Sequence, residues 1–418
     1  MSTPPQTLPT LLRLAARNLR RNLRRTLITA AAISFGLAFI ILAVNLNEGS
    51  YQAMMRSAIS GQAGHLVVQA RGYQADPEPT LLVDQAAAVV AEAEARFPGA
   101  TVAARSRLAG LITSPNNAVG VGVLAIQPSK EREITDLHTK LTEGAWLDDD
   151  DDRGVLLGAE LARRLGVQLG EKVVLMGQGQ TEVTSRLLRL RGVVRTGAVE
   201  LDANLAIVTL PCAQAFLERP DSANQITVHL RTTKGTPAMA AGLSEALQRP
   251  ELEVLDWEQA LPEIVQFIQA DRTNNIVTMS IVGIIVAIGV LNTILMSVME
   301  RIREFGVLLA LGLQPRQIAT IIVMEGALLG FFSALLGLAL GVAASYPLVR
   351  WGFNSAEMMG SDSMEVAGVL MDSQIYSAWA VGDMLAWTAA AWAMTILATL
   401  WPAKTAATLR PVDAMRHV

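Results

Sequence analysis

Leu27-Ile-Thr-Ala-Ala-Ala-Ile-Ser-Phe-Gly-Leu-Ala-Phe-Ile-Ile-Leu-Ala-Val-Asn-Leu46 carries no charged side chain. An apolar run of about 20 residues is long enough to cross a roughly 30 Å hydrocarbon core as one helix. Three more such runs follow, at Ile276 to Val298, Ile318 to Tyr346 and Met384 to Trp401. The second and fourth are also free of charge, and the third holds one acid, Glu325. A long polar stretch separates the first run from the second. The pattern predicts an α-helical membrane protein with four transmembrane helices. It also predicts an α+β extracytoplasmic domain inserted between helices 1 and 2. This layout excludes most enzyme classes.

The expected segments are a cytoplasmic amphipathic helix (1–26), transmembrane helix 1 (27–46) and the α+β domain with helical extensions (47–272). Transmembrane helix 2 (273–299), a cytoplasmic loop helix (300–317) and transmembrane helix 3 (318–346) come next. An outer loop (347–383), transmembrane helix 4 (384–402) and a cytoplasmic tail (403–418) complete the chain. Charge sets the orientation. Residues 1–46 hold six arginines and no acid, whereas 47–272 hold 21 basic and 29 acidic residues, a net of −8. The remaining basic clusters, Arg301 to Arg316 and Lys404 to Arg416, abut membrane ends on one side. Excess Lys and Arg marks the cytoplasmic side, so both termini and the 300–317 loop are expected inside.

The first segment has the basic flank and apolar stretch of a secretory leader. Its apolar stretch is too long for that, and no small-x-small cleavage site follows it, so an uncleaved anchor is expected. Ahead of it, Leu12, Ala16, Leu19 and Leu23 recur at helical spacing among six arginines. That spacing reads as a helix on the anionic inner leaflet, or as a plain positive flank.

Within the polar domain, strands are expected at His65–Gln69, Thr101–Ile112, Val119–Ile126, Lys172–Met176, Leu187–Val194 and Ala206–Leu210. Helices are expected at Asn47–Ser60, Asp84–Phe97, Glu160–Leu165, Cys212–Glu218, Pro237–Leu247 and Trp257–Gln269. The mixture is α+β without a repeat. Cys212 is the only cysteine, so a core rather than an intrachain disulfide must hold the domain. Asp148–Asp152, with Gly154 and Glu160 at calcium-loop offsets, invites a cation reading. Arg153 at a ligand position favours a solvated acidic turn instead. His65 and His138 lack metal-ligand spacing, so no metal is expected. No hydrolase motif occurs.

The most distinctive motif is Glu300-Arg-Ile-Arg-Glu-Phe-Gly-Val-Leu-Leu-Ala-Leu-Gly-Leu-Gln-Pro-Arg-Gln-Ile318, between the second and third apolar runs. A charged start, an apolar stretch from Val307 to Leu311, then Gly312 and Pro315 predict a short amphipathic helix with a firm stop. Such a helix either skims the membrane or docks in another protein's groove. The motif resembles the coupling helix of the FtsX/MacB-type (LolC/LolE-like) ABC transporter permease family, with Phe305 in place of the usual isoleucine. The tail, Trp401-Pro-Ala-Lys-Thr-Ala-Ala-Thr-Leu-Arg-Pro-Val-Asp-Ala-Met-Arg416, resembles that family's ending. Gly64-His-Leu-Val-Val and Leu157-Gly-Ala-Glu-Leu-Ala-Arg-Arg-Leu-Gly-Val-Gln-Leu-Gly-Glu-Lys-Val173 resemble its outer domain.

The resemblance implies a non-catalytic membrane subunit. This chain has no Gly-x-x-x-x-Gly-Lys-[Ser/Thr] phosphate loop, so ATP and Mg are expected on a partner ABC ATPase subunit dimer and none on this chain. A second permease copy or paralogue, membrane lipid, and a periplasmic partner protein or lipoprotein are further expected partners; nucleic acid is not. The ATPase-contacting residues implied are Glu300, Arg301, Arg303, Glu304, Phe305, Gly306, Leu309 and Gly312. The function implied is mechanotransmission, in which ATP-driven motion tilts the spans and reshapes the outer domain. Trp257-Glu-Gln-Ala-Leu-Pro-Glu-Ile264, a separate ATPase and a long second outer loop lean toward lipoprotein release from the inner membrane. Efflux of drugs or peptides, and signalling to a periplasmic enzyme without transport, stay open. If lipoprotein is the substrate, Phe35, Phe39, Leu42 and Met54, with Ile276, Met279 and Ile284, are expected to line its acyl-chain cavity. Gly326-x-x-x-Gly330 and Gly337-x-x-x-Gly341 place small residues on one face of the third helix for close packing. Glu325, an acid inside an apolar run, is expected to serve a structural or coupling role.

Overall fold

The computed structural model describes residues 8–21, 23–179, 182–310, 312–354, 363–366, 369–372 and 374–408; for 8–12, 20, 363–366 and 369–372 it describes the backbone alone. Leu311 and the tail motif beyond Thr408 lie outside the described residues.

The chain opens with α1 (Leu8–Arg21) and α2 (Leu23–Ala58), and α2 ends in a π-helical turn, Ile59–Ala63. Next come β1 (Leu66–Ala70), β2 (Val83–Asp84), α3 (Ala86–Arg96), β3 (Thr101–Thr113), β4 (Ala118–Ile126) and α4 (Pro128–Ile134). They are followed by β5 (Leu141–Gly144), β6 (Gly154–Gly158), α5 (Ala159–Leu165), β7 (Lys172–Gln178) and β8 (Val183–Val194). The α+β part closes with α6 (Val199–Asp202), β9 (Leu205–Thr209), α7 (Leu210–Phe216), β10 (Ser222–Ala223), β11 (Gln225–His229), α8 (Thr236–Leu247), β12 (Leu252–Asp256) and α9 (Trp257–Ala260). The C-terminal helices are α10 (Pro262–Glu300), α11 (Ile302–Ala310), α12 (Pro315–Arg350) and α13 (Val381–Ala407). Four helices are long and apolar enough to cross a membrane: Leu23–Ala63, Pro262–Glu300, Pro315–Arg350 and Val381–Ala407.

Two compact units form. One holds Met1–Gln52, Gln269–Phe353 and Ile375–Val418; the other holds Ala53–Ile268 and Asn354–Gln374. In the helical unit, small residues set the contacts of α12. A Cβ at Gly326 would lie 2.0 Å from Thr399 Cγ2, and one at Gly330 would lie 2.8 Å from Thr395 Cβ. Both threonines belong to α13. At the other end of α12, a Cβ at Gly341 would lie 2.7 Å from Ile41 Cβ, and one at Gly337 would lie 2.9 Å from Ser34 O. The single glycine face is thus shared by height between two partners, α13 and α2. Two hydrogen bonds tie α2 to α12, Ser34 Oγ to Ser333 O at 2.9 Å and Asn45 Nδ2 to Ser345 Oγ at 3.1 Å. Apolar side chains alone give helices in lipid little net drive to associate, so close backbone approach and such bonds carry the packing.

The α+β unit is built on one ten-stranded sheet, in the order β12-β1-β11-β3-β4-β9-β6-β8-β5, with β7 joining β3 and β8. β4–β9 and β6–β8 run parallel; the other pairs are antiparallel. The 13-residue β3 serves both halves of the sheet. Its first part pairs β11 from Thr101 to Arg105, and its second pairs β4 from Ser106 to Thr113. Over the first half, α3 and α8 bury Val89, Ala93 and Leu243 against Leu66, Val68, Ile226 and Val228. Over the second, α5 and α7 bury Leu161, Leu165 and Phe216 against Ile112, Val123 and Leu157.

Three sequence expectations change here. The helix expected over Trp257–Gln269 is broken at Leu261: α9 is one turn capped by Asp256, and Pro262 starts α10. Proline fits a first helical turn, where its missing N–H costs nothing. Six strands absent from the sequence reading, β2, β5, β6, β10, β11 and β12, are present. The acidic run is mostly exposed, as an acidic turn should be, but two of its carboxylates are ion-paired rather than only solvated. Asp151 pairs with Arg191 at 2.8 Å, Asp152 pairs with Arg186 at 2.7 Å, and both arginines belong to β8.

Candidate functional site

The short helix α11 is held from several sides. Phe305 is 1 % exposed and packs with Val298, Ile318, Ile322, Ala403 and Ala406, while Leu309 is half-buried against the same cluster. Arg301 lies over the Phe305 ring at 5.1 Å. Its Nη1 donates to both carboxylate oxygens of Glu325, at 3.1 and 3.2 Å. Glu325 also accepts from Asn18 of α1. Glu304 pairs with Arg21 and Arg301, and Glu300 pairs with Arg25 at 2.6 Å. Exposed ion pairs are each worth little, but this network shares arginines and joins α1, α11 and α12. Glu325 is therefore the anchor of Arg301, the residue that precedes α11.

The far end of α11 is equally fixed. Gly312 has φ +96°, and its N–H bonds Leu309 O while Leu313 N–H bonds Leu308 O. This is the left-handed glycine cap that satisfies the last helical carbonyls. Gln314 and Gln317 then form a reciprocal capping box, with Pro315 at the start of α12.

Among the ATPase-contacting residues expected from sequence, Glu300, Arg303, Glu304 and Gly312 are exposed, and Arg301 is half-buried in the network. Phe305 and Gly306 are buried within the chain and Leu309 is turned partly inward, so these three belong to the chain's own core. The face that stays open carries Arg303, Val307 and Ala310, at i, i+4 and i+7. Val307 is 50 % exposed. Sequence reading did not single out Val307 or Ala310. Their signal is the phase of the helix, which becomes legible only once Phe305 is known to point inward.

The cavity residues separate in the structure. Phe35 (68 % exposed), Phe39, Ile276 and Ile284 stand on exposed faces of α2 and α10, and Leu42 is intermediate. Met54 is 2 % exposed and belongs to the α+β unit. Ile276 and Met279 do line a cleft of about 380 Å³, with Val44, Glu48, Tyr51, Arg272 and Trp387. α1 also packs within the helical unit. Ala15 is fully buried and α1 packs on α12, while Ala16 and Leu23, on the apolar face expected toward the inner leaflet, are exposed.

A second constellation, at the root of α2 in the α+β unit, was not foreseen. Arg105 of β3 donates to both Glu131 oxygens at 2.9 and 3.0 Å and to Ser60 O at 3.1 Å. Arg107, two residues along the same strand, donates to Gly61 O at 3.4 Å and Gln62 O at 3.2 Å. Carbonyls at a helix C-terminus lack intrahelical donors, and the macrodipole favours a cation there. The two arginines therefore clamp the end of this long helix to the sheet. Nearby, His65 Nδ1 accepts from Leu230 N–H at 3.1 Å, and His229 sits edge-on to it with ring centroids 6.3 Å apart. Burial and the adjacent Arg105 charge push His229 down to about 3.

Comparison with known proteins bears on this architecture. The MacB-like periplasmic core domain family matches residues 26–246, and the FtsX-like permease C-terminal family matches 276–411. The chain is 26 % identical over 404 residues to the lipoprotein-releasing system transmembrane protein LolC of Xylella fastidiosa, covering 92 % of each chain. It is 25 % identical over 320 residues to LolC of Neisseria meningitidis serogroup B, covering 73 % of this chain and 75 % of that one. The solved periplasmic region of MacB from Actinobacillus actinomycetemcomitans aligns at 14 % identity with a TM-score of 0.36, covering 50 % of this chain and 95 % of that one. With both family matches lying in chain order over its four apolar helices, the chain belongs to the FtsX/MacB-type ABC permease family and is a multi-pass protein of the inner membrane.

Proposed function

We propose that this chain is the non-catalytic permease subunit of a transporter driven by a separate ABC ATPase, and that it releases lipoproteins from the inner membrane. The α+β unit faces the periplasm, and α11 faces the cytoplasm. The single observation that carries the coupling half of this reading is the open Arg303–Val307–Ala310 face on a helix locked at both ends. A rigid lever with one free apolar-and-basic face suits a groove on a partner that moves. ATP and Mg belong to that partner, and a second copy or a paralogue completes the permease pair. The relatives named LolC support the choice of substrate class. Lipoprotein acyl chains would lie against the exposed faces bearing Phe35 and Phe39 on α2 and Ile276 and Ile284 on α10.

The test is ATPase activity of the chain co-purified with its ATPase, with and without a diacylated lipoprotein. Val307→Asp should abolish co-purification or uncouple hydrolysis while leaving the fold intact. Leu309→Asp should instead damage the chain's own cluster and lower its thermal stability. Stimulation of the wild type by lipoprotein supports release. Coupling that is lost in Val307→Asp without any lipoprotein response keeps the ATPase contact and moves the substrate to efflux or signalling. Full coupling in Val307→Asp would remove α11 from the interface.

A further inference from the structure

The cleft between α2, α10 and α13 grades from polar to apolar in one direction on all three helices. On α10, Arg272 and Asn275 lead down to Ile276 and Met279. On α13, Asp383 leads to Trp387 and Ala390, and on α2, Tyr51, Glu48 and Asn47 lead to Val44. The rim is organised. Arg272 pairs with Glu48 at 2.7 Å and lies over the Tyr51 ring at 5.2 Å, while Tyr51 and Asn275 both donate to Asp271. Only one Arg272 nitrogen is engaged by Glu48, which leaves other guanidinium donors for a ligand. Asp383 and the Trp387 indole N–H have no hydrogen-bond or ion-pair partner among the described residues.

Below Trp387 and Ala390 lies a separate hollow of only about 40 Å³, narrowed where Val286 packs onto Gly36. Ile33, Gly36, Leu37 and Ile40 of α2 face Gly283, Val286 and Val290 of α10 across a lining that is almost wholly apolar.

We infer that this cleft binds one membrane phospholipid with a zwitterionic, primary-amine headgroup. Its phosphate meets Arg272, its amine meets Asp383 and Glu48, a glycerol ester carbonyl meets the Trp387 N–H, and its acyl chains leave the cleft along Val44, Ile276 and Met279. The lining holds two acids, Glu48 and Asp383, against one cation, Arg272, and Asp271 adds a third negative charge behind Tyr51 and Asn275, so an anionic headgroup is repelled where an amine is attracted. Placing the lipid in the outer leaflet rests on the orientation proposed above; the headgroup choice does not.

The test uses the full-length chain in phosphatidylcholine vesicles containing a fixed minor fraction of acyl-brominated phosphatidylethanolamine or phosphatidylglycerol. Bromine quenches nearby tryptophan, and the Trp387 component is the difference between wild type and Trp387→Phe. Phosphatidylethanolamine should quench that component about threefold more than phosphatidylglycerol, the scale of one partly exposed ion pair. No described residue pairs with Asp383, so Asp383→Asn should fold normally and bring the ratio to one, and Asp383→Glu should restore it. Equal quenching by the two lipids in the wild type, or a preference for phosphatidylglycerol, overturns the inference. So does a preference that survives Asp383→Asn. A brominated triacylated lipopeptide that displaces phosphatidylethanolamine at equal concentration would assign the cleft to cargo and overturn it as well.

Discussion

Arg105 shows how one side chain can commit a domain to a geometry. Both members of its pair with Glu131 are 1 % exposed, and the same guanidinium reaches the last turn of a long helix. Removing one partner of a buried ion pair strands the other charge, at a cost of about 3–5 kcal/mol. Arg105→Ala should therefore lower the thermal midpoint of the full chain sharply. Arg105→Ala with Glu131→Gln should recover part of the loss, because no uncompensated charge remains. Equal midpoints for Arg105→Ala and wild type would show the pair to be dispensable. The neighbouring histidines give a pH prediction. His229 is held at about 3, and burial lowers His65, whose Nδ1 must stay unprotonated to accept from Leu230 N–H. The unfolded chain takes up these protons near pH 6.5 and the folded chain refuses them, so stability is full above that pH. It is lost as pH falls from about 6.5 toward the folded value of His229. Between pH 7 and pH 5, His229 alone should remove about 2 kcal/mol. Thermal midpoints measured across that range should fall in wild type and flatten in His229→Gln; parallel curves would exclude His229 as the cause.

At the scale of elements, the α12–α13 seam is the most specific packing in the helical unit. No side chain fits at Gly326 while Thr399 faces it, because even a Cβ would sit 2.0 Å from Thr399 Cγ2. Gly326→Ala should cost about 1–3 kcal/mol by overpacking. Adding Thr399→Ala, which deletes the clashing methyl, should return most of that, as read by thermal unfolding in detergent. Additive losses in the double variant would refute the contact. The glycine spacing was readable in the sequence, but the division of its face between α13 and α2 was not, because spacing gives a face and not its partners. The same limit explains α11. Its existence, its firm stop at Gly312 and its charged start were legible. The inward turn of Phe305 was not, since an amphipathic pattern cannot tell the chain's own core from a partner's groove. In the sheet, β6 escaped notice because Val155, Leu156 and Leu157 are all fully buried, so the alternation that marks a half-exposed strand is missing. The acidic run found its arginines 34 to 40 residues away, a pairing that only the β6–β8 register creates.

For the whole molecule, hydropathy and charge asymmetry carry the topology, and both are properties of the sequence that packing cannot alter. Four apolar runs mark the helices able to cross, and an acidic stretch separates the first two. That much was legible because lipid demands backbone satisfaction within each spanning segment, which long helices supply. The cleft rim and the arginine clamp were not legible, since each unites residues that the fold brings together from far apart in the chain. The orientation has a clean test because the only native thiol is silent. Cys212 is fully buried, and burial raises its thiol to about 11, so it is neither accessible nor ionised at neutral pH. Added cysteines will therefore report alone. Ser244→Cys lies on an exposed turn of α8, and Ala310→Cys lies on the open face of α11. In intact spheroplasts, a membrane-impermeant maleimide should label Ser244→Cys within minutes and leave Ala310→Cys and the wild type unlabelled. Permeabilising the membrane should expose Ala310→Cys to the reagent without changing Cys212. Adding the ATPase partner to the permeabilised sample should then slow labelling at Ala310→Cys alone, because the proposed contact covers that face. Labelling of Ala310→Cys from outside would invert the molecule, and partner-independent labelling would detach α11 from the ATPase while leaving the orientation standing.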